Sequence, residues 1–202
     1  MLLNNQFSNL ILRSWCLFFL LSSASVADEL VDSISKRLSN TEIIYGEFQQ
    51  EKHLKILRKP LLATGIFTYH PNKGVIWKTL TPAPSLLMLN NTRLLTNQGE
   101  QAIPAAFARV FQALLGGNLH ALINDFTMTG TSQQTAWQLT LIPKDALLQK
   151  IIRSLVLSGD KDVQTLEIDE VVGNRTHIAL SHITHPAQLL PEQEVDFERL
   201  SP

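Results

Sequence analysis

Hydrophobic and polar positions change period three times along this 202-residue chain, and each change marks a switch between helix and strand. Leu30, Val31, Ile34 and Leu38 fall on one face of a helix predicted over residues 28–39. Asp28, Glu29 and Asp32 lie near its start, where acids suit the helix dipole. From Glu42 to Leu57 the pattern alternates, with Ile44, Gly46, Phe48 and Gln50 on one side, so a strand is predicted that runs into the basic hairpin end Lys52 to Lys59. Leu61, Ala63, Gly65, Phe67 and Tyr69 share a face of the next strand, and Val75, Trp77 and Thr79 a face of the one after, across a Pro71-Asn72-Lys73-Gly74 turn. Pro82 and Pro84 then interrupt the ladder. Ser85–Leu89 and Arg93–Thr96 read as a hairpin around Asn90-Asn91.

The period lengthens again from Ile103, where Phe107, Val110, Phe111, Leu114 and Leu115 trace one apolar helix face that Gly116-Gly117 ends. Leu119 to Ile123 predicts a second short helix. Strands are expected over 126–128, 137–142, 151–157, 163–169 and 176–183, with Gly, Pro, Asn and Asp in the turns between them. The remaining tail is polar, with one short strand expected at Val195 to Phe197. The fold class is therefore mainly β (α+β): an antiparallel meander, strongly curved, with two or three helices to cover it.

Composition narrows the function classes. Residues 1–27 join Arg13, the apolar run Trp15 to Leu21 and the small residues Ser22 to Ala27, the pattern of a secretory signal peptide with cleavage expected after Ala27. That apolar run is well short of the roughly 20 residues a membrane span needs. Residues 28–202 are expected to form a single periplasmic domain. They contain no cysteine, since Cys16 is the only one, which removes disulfides, thiol catalysis and thiolate metal sites. With 16 basic and 18 acidic side chains scattered along them, they lack the basic footprint of a nucleic-acid binder.

Candidate chemistry is thin. His177, His182 and His185 invite a metal reading, but strand parity sends His177 and His182 to opposite faces and His185 precedes Pro186 in a loop. There is no nucleophile elbow, and Asp160, Asp162, Asp169 and Glu170 cluster near turns where acids are usually solvated. A metal-dependent hydrolase built on His177, His182 and Asp169 is the weakest alternative. No enzyme activity, metal or cofactor is expected. Phe48, Phe67, Tyr69, Val75, Trp77, Leu87, Leu89 and Trp137 recur at strand spacing. They either fill a core against the central helix or line an apolar concavity of the kind that binds lipids.

The order of these elements resembles a known family. An N-terminal helix, Phe48-Gln49-Gln50, Gly65-Ile66-Phe67, His70-Pro71-Asn72, Val75-Ile76-Trp77 with Pro82, and Trp137 to Lys144 ending in Pro-Lys are together similar to the periplasmic outer-membrane lipoprotein carriers (LolA-like). The resemblance implies an unclosed antiparallel β-barrel with helices as a lid over an apolar cavity. It implies a monomer that takes lipid or lipoprotein acyl chains from an inner-membrane exporter and ferries them to an outer-membrane acceptor. Phe48, Phe67, Tyr69, Val75, Trp77, Leu87 and Leu89 are then expected on the sheet side of the cavity, and Phe107, Phe111 and Leu115 on the movable cover. Two departures point to a specialised paralogue. His70 stands where the family typically has a lid-closing arginine, and the chain ends soon after Phe197. The alternative from another class is a sensor or scaffold module of the same fold that binds a protein segment.

Overall fold

The computed structural model describes residues 25–38, 42–101 and 105–200, with the side chains of 25–27 and 105–107 outside the description. The expected signal segment therefore lies almost wholly outside the described residues. The first helix, α1 (Ser25–Leu38), buries Val31, Ile34 and Leu38 on one face and carries Lys36 and Arg37 in its last turn. Arg37 donates to the carbonyls of Gln133 and Gln134 and pairs with Asp160 at 3.1 Å, tying the helix end to two distant turns.

Strands β1 (Ile44–His53), β2 (Leu61–His70), β3 (Gly74–Thr81), β4 (Ser85–Leu89), β5 (Leu94–Thr96) and β6 (Gly99–Gln101) precede α2 (Ala105–Leu115). A 3₁₀ turn at Leu119–Leu122 follows, then β7 (Phe126–Ser132), β8 (Trp137–Pro143), β9 (Ile152–Gly159), β10 (Val163–Glu170), β11 (Arg175–Thr184) and α3 (Pro191–Glu198). All eleven strands form one sheet in the order β6-β5-β4-β3-β2-β1-β11-β10-β9-β8-β7, each pairing antiparallel. Strands β6 and β7 end the sheet without pairing to each other, so the barrel is unclosed, as the family resemblance implies.

Burial follows strand parity. Ile44, Gly46 and Phe48 of β1, then Gly65, Phe67 and Tyr69 of β2, are buried on the face that α1 and α2 cover. Gly65 is required by a close approach: a Cβ there would lie 2.0 Å from the Lys78 carbonyl oxygen and 2.6 Å from the Phe48 ring, which occupies the place of a side chain. Gly117, at φ +69, ends the turn after α2 with its Cα packed on Leu38. Asn90 builds the expected β4–β5 turn by accepting the backbone N–H groups of Thr92 and Arg93 at 2.9 and 2.8 Å.

Two features depart from the sequence prediction. Strand β6 has no alternating apolar pattern and was not foreseen. The expected short strand at Val195 to Phe197 is instead part of α3. Pro191 opens this helix, Glu192 and Glu194 stand in its first turn, and the Gln193 side chain accepts the Leu190 N–H at 2.9 Å. Gln193, Phe197 and Leu200 then recur at helical spacing, and Phe197 and Leu200 pack with Ile76 and Met88 on the convex face of the sheet. A buried hydrogen bond from Gln193 Nε2 to Thr68 Oγ1, 3.0 Å, fixes the helix to β2.

Candidate functional site

Four rings meet where α2 crosses the concave face. Register places Phe67 opposite Trp77, and Phe48 beside Gly65 one strand further on. Trp77 stacks on Phe48 with centroids 3.9 Å apart at 22°, and lies 5.8 Å from Phe67. Phe111 from α2 meets Trp77 edge-on at 5.5 Å and 76°, a favoured aromatic geometry. This contact divides the space under the cover into two parts.

On one side lies a narrow apolar chamber lined by Trp77, Phe111, Leu114, Leu115, Leu157, Val163, Leu166, Ile178 and Leu180. On the other is an open cleft of about 450 Å³, lined by Trp77, Leu87, Phe111, Leu148, Ile151, Ile152, Ile168, Thr176 and Ile178, with Gln50, Lys52 and Glu170. The apolar residues form its walls, and the charges form a pair, Lys52 to Glu170 at 3.0 Å. Burial pushes the Glu170 carboxyl up, but hydrogen bonds from Asn174, at 2.8 Å, and from Lys52 outweigh it and hold the group below its ordinary value. The cleft therefore combines oily walls with a carboxylate, Glu170, that stays ionised at neutral pH beside Lys52.

The residues expected from the sequence divide among three places. Trp77, Leu87 and Phe111 line the cleft, and Leu115 lines the narrow chamber. Phe48, Tyr69, Val75 and Leu89 face the same side but are packed into the core, and Phe67 reaches only a small crevice beside Ile44 and Leu180. Tyr69 supports the end of α2, because a Cβ on Gly116 would meet its hydroxyl at 2.2 Å; burial raises the pKa of that hydroxyl. The side chain of Phe107 lies outside the described residues.

His70 corrects the expectation of a lid-closing group. As the neighbour of Tyr69 on β2 it points to the convex face, where its ring stands 6.0 Å from Phe197 of α3 and its Nδ1 accepts the Asn72 N–H at 3.1 Å. Burial and then the charge of Lys73 lower its pKa, against the opposing pull of Glu194, which pairs with Lys73. The helix at His70 is α3, on the far side of the sheet from the cover.

The second half of the sheet was missed. Leu148, Ile151, Ile152, Ile168, Thr176 and Ile178 complete the cleft, and the alternation Thr176, Ile178, Leu180 was the signal that could have found β11's contribution. The three late histidines do not converge. His177 faces Glu167 at 3.6 Å, His182 faces Glu47 at 3.2 Å and His185 faces Asp162 at 3.1 Å. No group of three or more His, Cys, Asp or Glu among the described residues is placed to hold a metal ion. No helix among them is long and apolar enough to cross a membrane.

Comparison with known proteins gives a family and a set of similar folds. Residues 95–193 match the family described as outer membrane lipoprotein carrier protein LolA-like. A LolA superfamily protein from Nitrosomonas europaea is similar over 83% of this chain and 96% of its own, at 10% identity and a TM-score of 0.48. A chain of the MucA/MucB complex from Pseudomonas aeruginosa is similar over 83% of this chain at 11% identity and a TM-score of 0.48, and this chain spans 59% of it. LprF from Mycobacterium bovis is similar over 81% of this chain and 95% of its own, at 13% identity and a TM-score of 0.38. No curated protein matches the chain. The matched segment, just under half of the chain, is similar to the LolA-like family, and the unclosed eleven-stranded sheet with its covering helices is consistent with that fold.

Proposed function

We propose that this protein is a periplasmic carrier that holds the acyl chains of a lipid-modified client and passes them between membranes without catalysis. The observation that carries the reading is the open cleft of about 450 Å³ walled by Trp77, Phe111, Leu148, Ile152, Ile168 and Ile178. Its volume falls in the roughly 300–1,000 Å³ range of small-molecule sites. Covering one methylene is worth about 0.8 kcal/mol relative to water, so an acyl chain of ordinary length resists escape by on the order of 10 kcal/mol. Against a bilayer the same burial offers almost no resistance, because both environments are apolar. Retention in water and release at a membrane then follow from one property.

In this reading residues 1–27 direct export, an inner-membrane exporter loads the cleft and an outer-membrane acceptor empties it. Opening the cover means parting Phe111 from Trp77, since His70 lies on the other face.

The test is to recover the protein from its native compartment, extract it and weigh what leaves. The carrier reading expects acyl-containing material in near-stoichiometric amount. Bound peptide without acyl chains would replace it with the scaffold alternative, and an extract with neither would refute it.

A further inference from the structure

One end of the sheet carries a pattern that neither the core nor the cleft accounts for. Pairing of Lys52 with Leu61 and of His53 with Arg175 brings the β1–β2 loop beside the β10–β11 turn. The backbone N–H of Lys55 donates to Asn174 Oδ1 at 3.1 Å, and the N–H of Val171 donates to the carbonyl of Ile151 at 3.0 Å, so the segment before β9 joins the same end. Here Ile56 is 87% exposed, Leu62 63%, Val172 66% and Ile151 58%. Single exposed aliphatics are ordinary, but several gathered at one end mark a contact surface.

The β1–β2 loop beside them carries charges of one sign, and the acids at the β10–β11 turn, Asp169 and Glu170, are paired with Arg175 and Lys52. Lys55, Arg58 and Lys59 interleave with Ile56 and Leu57, and no acid occurs between Lys52 and Leu62. None of the three enters an ion pair among the described residues. Aliphatic fingers flanked by unpaired cations suit a membrane interface, where acyl boundary and anionic headgroups lie a few ångströms apart. In a chain of net charge −1 this concentration is local and not a general basicity. Ile151 and Lys52 also border the open cleft, so a bilayer against this end would face the cleft's mouth.

We propose that the β1–β2 loop and its neighbouring turns dock this protein on an anionic phospholipid bilayer. The contact requires nothing of what the cleft holds; its use in delivery rests on the carrier reading.

The test is sedimentation of the purified protein with vesicles of phosphatidylcholine, alone or doped with phosphatidylglycerol, at low and high salt. Binding is expected to the doped vesicles and to weaken with salt. Lys55→Gln, Arg58→Gln and Lys59→Gln together are expected to lower partitioning on the order of a hundredfold, since each cation near an anionic surface contributes about fivefold. Thermal unfolding of this exposed variant should match the parent. An environment-sensitive label on Ile56→Cys, in a Cys16→Ser background, should move to an apolar setting on the vesicles, while the same label on Gln134→Cys at the opposite end should not.

No binding to protein-free vesicles, binding unchanged in the triple variant, or equal responses from the two labels would each overturn the proposal. Capture only by a membrane protein would do the same. Bound acyl material without vesicle binding would sink this inference and leave the carrier reading standing, and vesicle binding with an empty extract would do the reverse.

Discussion

Replacing Trp77 with glutamate separates the cleft from the core more sharply than any other change. Trp77 forms the wall between cleft and chamber, and its neighbours there are the rings of Phe48, Phe67 and Phe111. A carboxylate in that wall removes the apolar surface from the ligand side and draws water into it. If the substitution uncovers about three methylenes of a bound chain, at about 0.8 kcal/mol each, affinity falls by about 2.4 kcal/mol, roughly fiftyfold. Trp77→Phe keeps a ring on Phe48 and should stay within a few-fold of the parent. The matched control is Met88→Ala, because Met88 is fully buried but on the convex face with Phe197. That change should cost about 2–5 kcal/mol of stability and leave affinity unchanged.

The assay is titration with a fluorescent acyl probe well below every melting temperature, with urea unfolding followed by circular dichroism on the same samples. Should Trp77→Glu fail to fold, Leu87→Glu carries the same test, since Leu87 pairs directly with Trp77 and lines the cleft. A folded Trp77→Glu protein with parental affinity would refute the assignment. So would a Met88→Ala protein whose affinity fell in proportion to its stability.

Three further outcomes follow from the packing. Gly65→Ala should destabilise by about 1–3 kcal/mol or more in urea, because the new methyl meets the Lys78 carbonyl at 2.0 Å and the Phe48 ring at 2.6 Å. Gln193→Leu should cost about 1–3 kcal/mol by orphaning the buried Thr68 hydroxyl, without changing acyl-probe affinity, since α3 is remote from the cleft. His70 has a folded pKa below its ordinary 6.5, so the unfolded chain takes its proton first as pH falls. Stability present at neutrality should therefore decline as pH drops through that value toward the folded pKa, and His70→Gln should remove this share of the decline in urea midpoints. Parallel pH profiles for parent and variant would contradict the placement of His70.

The first half of the fold was legible because large aromatics alternate there and every turn carries Pro, Gly or Asn. What parity could not say is which part of a concave face the helices cover. Phe48 and Tyr69 share a side with Trp77, yet Tyr69 lies under the end of α2 and Phe48 under the Trp77 ring, so both became core, while Trp77 and Leu87 remain on the cleft. The opposite wall was hidden for another reason: β10 and β11 offer Ile168, Thr176 and Ile178, which carry no more signal than any buried strand. The convex face did leave a trace. Val75-Ile76-Trp77 and Leu86-Leu87-Met88-Leu89 are apolar on both parities, so something had to cover Ile76 and Met88 from behind. Phe197 and Leu200 were the available partners, and only a helix brings both to the same side.

How the cover is held bears on how it would open. Among the described residues α2 meets the sheet through the Phe111 edge on Trp77, Gly116 abuts the Tyr69 hydroxyl, and Gly117 packs on Leu38 of α1. The ion pair of Arg109 with Asp125, 3.1 Å, joins α2 to the loop before β7 and crosses no part of the cleft. A latch made of charges would tighten where water is excluded, since Coulomb attraction grows as the dielectric falls. A joint made of aromatic and aliphatic contacts behaves oppositely. Its strength comes from keeping apolar surface out of water, and a bilayer boundary removes that advantage from the joint and from a bound acyl chain together. Under the carrier proposal, the chemistry of the Phe111–Trp77 contact thus favours a cover that stays shut in water and loosens at a membrane.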